Sequence, residues 1–230
     1  MPNMKPILFS TPMVQAILAG YKTMTRRVIT NKDFQLWVCS GFSDEFIKNS
    51  DNKLVEKAPI KLGDILWVRE TWRITQTDIE ESEIRVQYKA DMSTSGTIVI
   101  DDDLHERYSA QCAEDCEKAG LALGENDYYV IEGEDPSRWR PSIFMPKAAA
   151  RIFLRVTCVR AERLQDITEE DAVREGVMGL IDKILQGLTG KIRFERLWDR
   201  LNKKRGYGWD TNPWVWVYTF ERITREEAQA

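Results

Sequence analysis

Residues 7–29 read ILFSTPMVQAILAGYKTMTRRVI, and this stretch decides the predicted fold. Residues 7–9 predict a short strand, and Pro12 directly after Ser and Thr is typical of the first turn of a helix. Gly20 is placed to end that helix, and the Thr-rich, β-branched pattern of residues 23–29 favours an extended strand. The opening of the chain therefore predicts a strand, a helix and a second strand in immediate succession.

The rest of the chain predicts further short strands and two or three helices without a βαβ rhythm. The strands are predicted over residues 65–72, 84–90, 97–100, 151–160 and 214–220, and the helices over 104–122, from the N-cap Thr168 onward, and over 192–201. This mixture predicts an α+β protein rather than a doubly wound sheet. A small, partly open barrel with a cleft at its mouth would accommodate strands of these lengths.

The length of 230 residues suits one domain, which we assign to residues 1–230, with an insertion at about residues 76–135. No apolar run approaches the roughly 18 residues that a membrane span needs. The N-terminal stretch lacks the apolar core of a secretory signal. We therefore expect a cytoplasmic protein without a membrane partner.

Charge is distributed unevenly along the chain. Residues 76–135 hold 17 acidic and 4 basic side chains, whereas the remainder holds 20 acidic and 29 basic side chains. Such asymmetry is typical of proteins with a polyanionic partner, but also of an ordinary acidic insertion on a mildly basic domain. The acidic segment itself is a candidate protein-interaction module.

The cysteines do not predict a metal centre. Cys112 and Cys116 are four residues apart, with His105 seven residues upstream, but a second Cys/His pair is missing. A pair four residues apart also marks neighbours on one helix face, and this structural interpretation is favoured. We expect no metal and no cofactor.

A few positions carry candidate chemistry. Lys22 and Thr25 lie on a helix-to-strand turn, where a partly buried lysine with a lowered pKa could take the hydroxyl proton; solvated charge is the alternative. Arg69 and Glu70 fall inside an apolar stretch, so that one of them must form an ion pair or contact a ligand. Trp72 stands beside them as a candidate for stacking on a base.

Several blocks of sequence together resemble ASCH-domain proteins, in particular the longer form found in phages and prophages. They are residues 7–10, 17–27, 63–72, 140–146, 151–152, 162–168, 175–176 and 212–216. The resemblance implies a PUA-like small mixed β-barrel with flanking helices and a cleft for RNA or a nucleotide.

The same family includes small bacterial amidohydrolases that cleave 4-acetylcytidine. The resemblance places their general base on Lys22, their nucleophile on Thr25 and their proton donor on Glu175, the last through the pattern Thr-Glu-x-x-Ala-x-x-Glu of residues 168–175. Hydrolysis of an acylated nucleoside, or a related nuclease activity, is therefore the alternative to a purely nucleic-acid-binding module with a basic cleft. The candidate ligand contacts are Arg26, Arg27, Arg69, Glu70, Trp72, Arg140, Ser142, Lys147 and Arg151.

Overall fold

The computed structural model of the chain describes residues 4–31, 34, 43–49, 56–78, 82–121, 135–177 and 187–230. Within these residues the backbone forms eight strands and six α-helices, with short 3-10 turns between them. The strands are β1 (Met4–Leu8), β2 (Met24–Val28), β3 (Ile65–Arg69), β4 (Trp72–Asp78), β5 (Glu83–Tyr88), β6 (Ile98–Val99), β7 (Phe153–Arg163) and β8 (Trp214–Ile223). The helices are α1 (Thr11–Leu18), α2 (Asp44–Asn49), α3 (Asp102–Lys118), α4 (Glu169–Arg174), α5 (Gly190–Asn202) and α6 (Arg225–Gln229).

The larger sheet has five strands in the order β1-β3-β7-β8-β2. The antiparallel ladder of β7 and β8 is its longest pairing, and it shifts register at a bulge near Val156. Strand β2 pairs antiparallel with β8, which sets Thr25 opposite Tyr218. In the described part of the chain this sheet runs from β1 at one edge to β2 at the other and does not close into a barrel.

The smaller sheet has three antiparallel strands in the order β4-β5-β6. Its buried face alternates with exposed positions along β5, as a half-buried strand requires. Helix α3 begins at the N-cap Asp101, whose side chain accepts from the backbone N–H of Leu104. Tyr108 of this helix packs with Trp72 of β4 at a ring separation of 5.6 Å, and both side chains belong to one apolar core.

The chain divides into two compact units. The first comprises Met1–Lys5, Gln15–Trp67 and Ile152–Ala230, and the second comprises Pro6–Val14 and Val68–Arg151. The predicted insertion at about residues 76–135 falls within the second unit. The first unit contains the helix-to-strand turn at Lys22 and the helix that precedes Glu175.

The α+β class is confirmed, and most of the predicted elements lie close to their predicted bounds. The single strand predicted over residues 65–72 is wrong, because β3 ends at Arg69 and β4 begins at Trp72. The chain changes sheets here, since β3 pairs with β7 and β4 pairs with β5, and Glu70 between them is buried and ion-paired. Much of the predicted loop-rich segment, residues 31–60, lies outside the described residues; Asp44–Asn49 within it is helical.

Across the described ranges, no helix is both long enough and apolar enough to cross a bilayer.

Candidate functional site

The turn after α1 fixes the position of Lys22. Helix α1 ends at Leu18, and Gly20 adopts φ +78°, a left-handed conformation that glycine accepts without steric cost. The backbone N–H of Lys22 then donates to the carbonyl of Ala16 at 3.0 Å. This bond closes the turn, so Lys22 leads directly into β2.

Helix α4 brings Glu175 to the same place. Its N-cap is Thr168, whose hydroxyl accepts from the N–H of Asp171 at 3.1 Å, as the sequence predicted. After α4 ends, Lys22 and Glu175 form an antiparallel bridge, and the N–H of Thr23 donates to the carbonyl of Arg174 at 2.9 Å. Two segments about 150 residues apart in sequence therefore meet through their backbones.

The Lys22 ammonium lies inside the first unit against Glu175. Its Nζ is 2.8 Å from Glu175 Oε2, 2.9 Å from the Glu175 carbonyl oxygen and 2.7 Å from the Met24 carbonyl oxygen. Three acceptors match the three N–H donors of a lysine ammonium. The side chain of Lys22 is fully buried, and that of Glu175 is nearly so.

Burial governs the electrostatics of this pair. Desolvation lowers the pKa of Lys22 from its usual value, and the charge and hydrogen bond of Glu175 oppose that shift. Desolvation likewise lowers the pKa of Arg27, and Glu175 again opposes it. Glu175 is thus a common anionic partner for both cations.

Thr25 follows Met24 in β2. Lys22 Nζ bonds the carbonyl of Met24, which forms the peptide bond to Thr25, and the Thr25 side chain is buried. Because successive strand residues point to opposite faces, Thr25 and Arg27 share one face of β2 and Arg26 lies on the other. The cross-strand neighbour of Thr25 on its own face is Tyr218.

Arg26 holds a network of carboxylates. Its Nη1 is 3.1 Å from Glu175 Oε1, its Nη2 is 2.8 Å from Asp171 Oδ2, and both Nε and Nη2 bond Glu162 Oε1 at 3.0 Å and 2.6 Å. The Arg26 side chain is fully buried. The Arg26 guanidinium thus donates to three carboxylates of its own chain, and its contact with a ligand stays a prediction.

The sequence did not identify the other members of this network. Arg160 bonds Glu162 Oε2 at 2.9 Å and also bonds Asp171, so three cations, with Lys22, face three carboxylates. Arg160 and Glu162 are visible in the sequence only as alternating charges on one strand. The helix-start pattern gave the position of Asp171 without its partners.

Several predicted ligand contacts belong to the second unit, and two of them form an ion pair there. Glu70 is buried and accepts from Arg151 Nε and Nη2, each at 2.9 Å. Arg151 Nη1 also bonds Asp91 Oδ2 at 2.8 Å, and its guanidinium lies 4.0 Å from the ring centroid of Tyr88. The interpretation of Glu70 as half of an ion pair fits this geometry.

Trp72 and Arg140 are also interior residues of the second unit. Trp72 has no exposed surface and lies in the core, so its ring offers no face to a base, and the stacking role predicted for it does not fit. Arg140 is 7% exposed and packs over Tyr108 at 5.2 Å and over Trp72 at 5.7 Å. By contrast, Ser142 is partly exposed and Lys147 is exposed.

The cysteine pair lies on α3, as the structural interpretation expected. Burial raises the pKa of Cys112 to about 11 and raises that of Cys116 as well, which keeps both thiols protonated at neutral pH. Among the side chains that the structure places, no group of three or more His, Cys, Asp or Glu residues is arranged to hold a metal ion.

Comparisons of the chain with protein-family models, with curated proteins and with solved structures found no match.

Proposed function

We propose that the first unit is an ASCH-type, PUA-like domain that binds a nucleotide or a nucleic-acid strand and hydrolyses the amide of an acylated nucleoside such as 4-acetylcytidine. Lys22, Thr25 and Glu175 perform the chemistry in this proposal. A PUA-like arrangement of the sheet belongs to the same proposal, with Thr25 carried by β2, the edge strand that pairs with β8.

One observation carries the proposal: the buried 2.8 Å contact between Lys22 Nζ and Glu175 Oε2. Burying two charges together is costly, so a pair of this kind requires a compensating structural or functional role. A base and an acid are the two groups that amide hydrolysis needs, one for the nucleophile and one for the leaving amine.

Transfer of a proton across this contact would give the protonation states that the proposed reaction requires. In this proposal the reaction starts from an ammonium at Lys22 and a carboxylate at Glu175, with Arg26 Nη1 3.1 Å from Glu175 Oε1. Transfer of one proton along the 2.8 Å hydrogen bond gives a neutral amine at Lys22 and a carboxylic acid at Glu175. Desolvation, which lowers the pKa of Lys22, favours this neutral form.

The remaining steps return both groups to their resting states. The amine of Lys22 takes the hydroxyl proton of Thr25 as the oxygen attacks the acyl carbon, and an ester forms on Thr25. Glu175 gives its proton to the departing exocyclic amine, which leaves as a neutral base. Water then hydrolyses the ester and releases the carboxylic acid, while Arg27 is placed on the Thr25 face to stabilise the developing oxyanion.

The test is turnover of 4-acetylcytidine by the purified chain, followed by the ultraviolet change on conversion to cytidine. Thr25→Val keeps the shape of the side chain and removes the nucleophile, so we expect no turnover above background. Lys22→Met removes the base, and we expect kcat to fall by roughly 10²- to 10⁴-fold.

Thr23→Val is the matched control, because it removes a hydroxyl from the same segment; that hydroxyl accepts a long, 3.4 Å hydrogen bond from Arg174 Nε and takes no part in the Lys22 Nζ–Glu175 Oε2 contact. We expect wild-type turnover from this variant. Full activity in Thr25→Val with an intact fold would rule out the assignment of the nucleophile, and an inactive wild type would rule out this substrate class.

A further inference from the structure

Arg140 is a buried arginine with two guanidinium nitrogens that bond no described residue. It is 7% exposed, and its backbone is fixed against Trp72: the Arg140 N–H donates to the Trp72 carbonyl at 2.7 Å, and the Trp72 N–H donates back at 3.3 Å. Arg140 Nη1 donates to the amide oxygen of Gln111, but Nε and Nη2 have no hydrogen-bond partner among the residues that the structure describes. An unpaired charge in the interior is costly, so these two donors call for an acceptor.

The two nitrogens form one edge of the guanidinium, which we call the Arg140 fork. The N–H bonds of this planar edge point side by side, so that it can hold two oxygens at once. Arg151 uses its Nε and Nη2 in this way, each 2.9 Å from an oxygen of Glu70, and Arg163 does so with Asp44 at 3.0 Å and 3.1 Å. Two counterparts of the Arg140 fork in this chain therefore hold a carboxylate.

Aromatic rings border the Arg140 guanidinium. Its central carbon lies 5.2 Å from the ring centroid of Tyr108 and 5.7 Å from that of Trp72. Both rings belong to the apolar core of the second unit. Hydrogen bonds to an ion are stronger in such surroundings than in water. An acceptor at the Arg140 fork is therefore held more tightly than at an arginine on the surface.

Further polar atoms close to this core also bond no described residue. They are Trp72 Nε1, His105 Nε2 and Ser109 Oγ, all of them buried. The Cys112 thiol interacts with Arg140, which opposes the rise of the thiol's pKa, but a protonated sulfur is a weak acceptor and carries no charge. The nitrogens of tryptophan and arginine can only donate. Trp72 and the Arg140 fork thus present three donors, and no described anion bonds them.

The charge and the burial of the fork select the class of ligand. One guanidinium is neutralised by one negative charge, and a carboxylate offers that charge on two coplanar oxygens. Asp115 of α3 does not supply it, because its carboxylate is bonded to Arg138 Nε at 2.6 Å. A nucleic-acid strand presents phosphates along an extended backbone, which cannot reach nitrogens that have almost no exposed surface. A small anion reaches such atoms through local opening of the unit.

We infer that the Arg140 fork is a binding site for the carboxylate group of a small organic anion, with one oxygen on Nε and the other on Nη2. The site goes beyond the proposed hydrolysis, because it uses no residue of the Lys22–Glu175 contact. A ligand that binds only the folded chain also stabilises it, so the anion adds to the stability of the protein.

The experiment follows the arginine Nε–H signals of the whole chain by NMR while acetate replaces chloride at constant ionic strength. We expect the Arg140 signal, identified as the one missing from Arg140→Lys, to shift with a dissociation constant on the order of 1 mM, as suits a ligand of so few atoms. If Arg140→Lys does not fold, sequential assignment identifies the signal in the wild type. An unmoved Arg140 signal at about 100 mM acetate, roughly a hundredfold excess, would overturn the inference and indicate that water completes the fork.

Two variants separate the fork from general attraction of anions. Arg140→Lys keeps the positive charge and loses the fork, so its calorimetric affinity for acetate should fall by about tenfold or more. Arg107→Gln is the matched control, since it removes an exposed cation from α3 and leaves the fork intact; we expect wild-type affinity. Equal losses in the two variants would overturn the site. Inorganic phosphate that shifts the Arg140 signal at lower concentrations than acetate does would overturn the choice of a carboxylate.

Failure of this site is distinguishable from failure of the proposed hydrolysis. The acetate titration contains no nucleoside and needs no turnover, so Thr25→Val should bind acetate as the wild type does. Acetate binding at Arg140 without hydrolysis of 4-acetylcytidine supports the fork alone. Hydrolysis without any response of the Arg140 signal supports the Lys22–Glu175 site and overturns the fork.

Discussion

At the scale of single residues, the second unit depends on one buried carboxylate and its counter-charge. Glu70 is 1% exposed and bonds Arg151 through both of its oxygens. Burial raises the pKa of Glu70, and Arg151 opposes that rise. Asp91 is also subject to desolvation, yet hydrogen bonds from Arg151 and Ser93 lower its pKa to about 2.

Arg151→Met should therefore destabilise the protein in a pH-dependent way. Removing one partner leaves a buried charge uncompensated, which typically costs about 3–5 kcal/mol of unfolding free energy at neutral pH. Because the pKa of Glu70 is raised in the folded chain, its protonated form adds to the free energy of unfolding below the unfolded pKa near 4.5. This contribution is lost as pH rises through the folded pKa. Asp91 acts in the opposite sense: its pKa is lowered to about 2, so its contribution to stability is present above the unfolded value of 3.8, hence at both pH 4.5 and pH 7, and is lost as pH falls toward 2.

Urea unfolding at pH 7 and near pH 4.5 measures this effect. The deficit of Arg151→Met relative to wild type should be larger at pH 7, and adding Glu70→Leu should restore part of it. An equal deficit at both pH values would show that lost packing, rather than the unpaired carboxylate, explains the change.

Individual residues differed in how far the sequence could predict them. The alternation of side chains along a strand, and the free-energy cost of burying an unpaired charge, were enough to predict that Arg69 or Glu70 would need a partner. They did not identify that partner as Arg151. Arg26 resembled a ligand contact, because its acidic partners are more than 130 positions away in sequence. Patterns within one segment carry no information on such distant pairing.

At the scale of elements, the first unit depends on a close approach between the end of α4 and the turn after α1. Gly176 has φ +84°, and a Cβ there would lie 2.8 Å from Lys22 Cβ and 2.9 Å from Ala16 Cβ. Only glycine allows the two segments to bridge at this distance. Gly176 is therefore a positioning residue for the Lys22–Glu175 contact.

Gly176→Ala and Gly20→Ala form a matched pair that tests this role. Both glycines have a left-handed φ, but nothing lies within 4 Å of a Cβ at Gly20. Gly20→Ala should cost about 1–2 kcal/mol of unfolding free energy through its backbone alone, and Gly176→Ala should cost a further 1–3 kcal/mol, roughly, through overlap. Differential scanning calorimetry measures the difference, and equal costs in the two variants would contradict the close approach.

The elements themselves were largely predictable, since caps, turns and alternation are local. The N-cap Thr168, with Asp171 three residues later, predicted where α4 begins. Gly20 predicted where α1 ends. The break between β3 and β4 was missed because the two strands belong to different sheets, β3 pairing with β7 and β4 with β5. The order of strands in the sheet could not be predicted from local sequence patterns, because a pairing such as β3 with β7 joins segments far apart in the chain.

At the scale of the whole molecule, charge is divided between the two units. The first unit holds 23 basic and 19 acidic side chains, and the second holds 10 basic and 18 acidic. The net charge of −4 therefore hides a basic unit and an acidic one. Within each unit the important charges are of two kinds, buried pairs such as Lys22–Glu175 and exposed cations such as Lys147.

A change in salt concentration should affect exposed cations and buried ion pairs differently. Exposed cations that contact phosphates release counterions on binding, and each contact adds about −0.7 to the slope of log affinity against log salt for a single strand. Buried pairs are screened much less, so unfolding free energy should change little over the same range. We expect Lys147→Gln to reduce the slope of oligonucleotide binding by about 0.7 while leaving the urea midpoint unchanged. Anisotropy titrations and urea unfolding at matched salt concentrations measure both quantities, and binding that is insensitive to salt would contradict phosphate contact by Lys147.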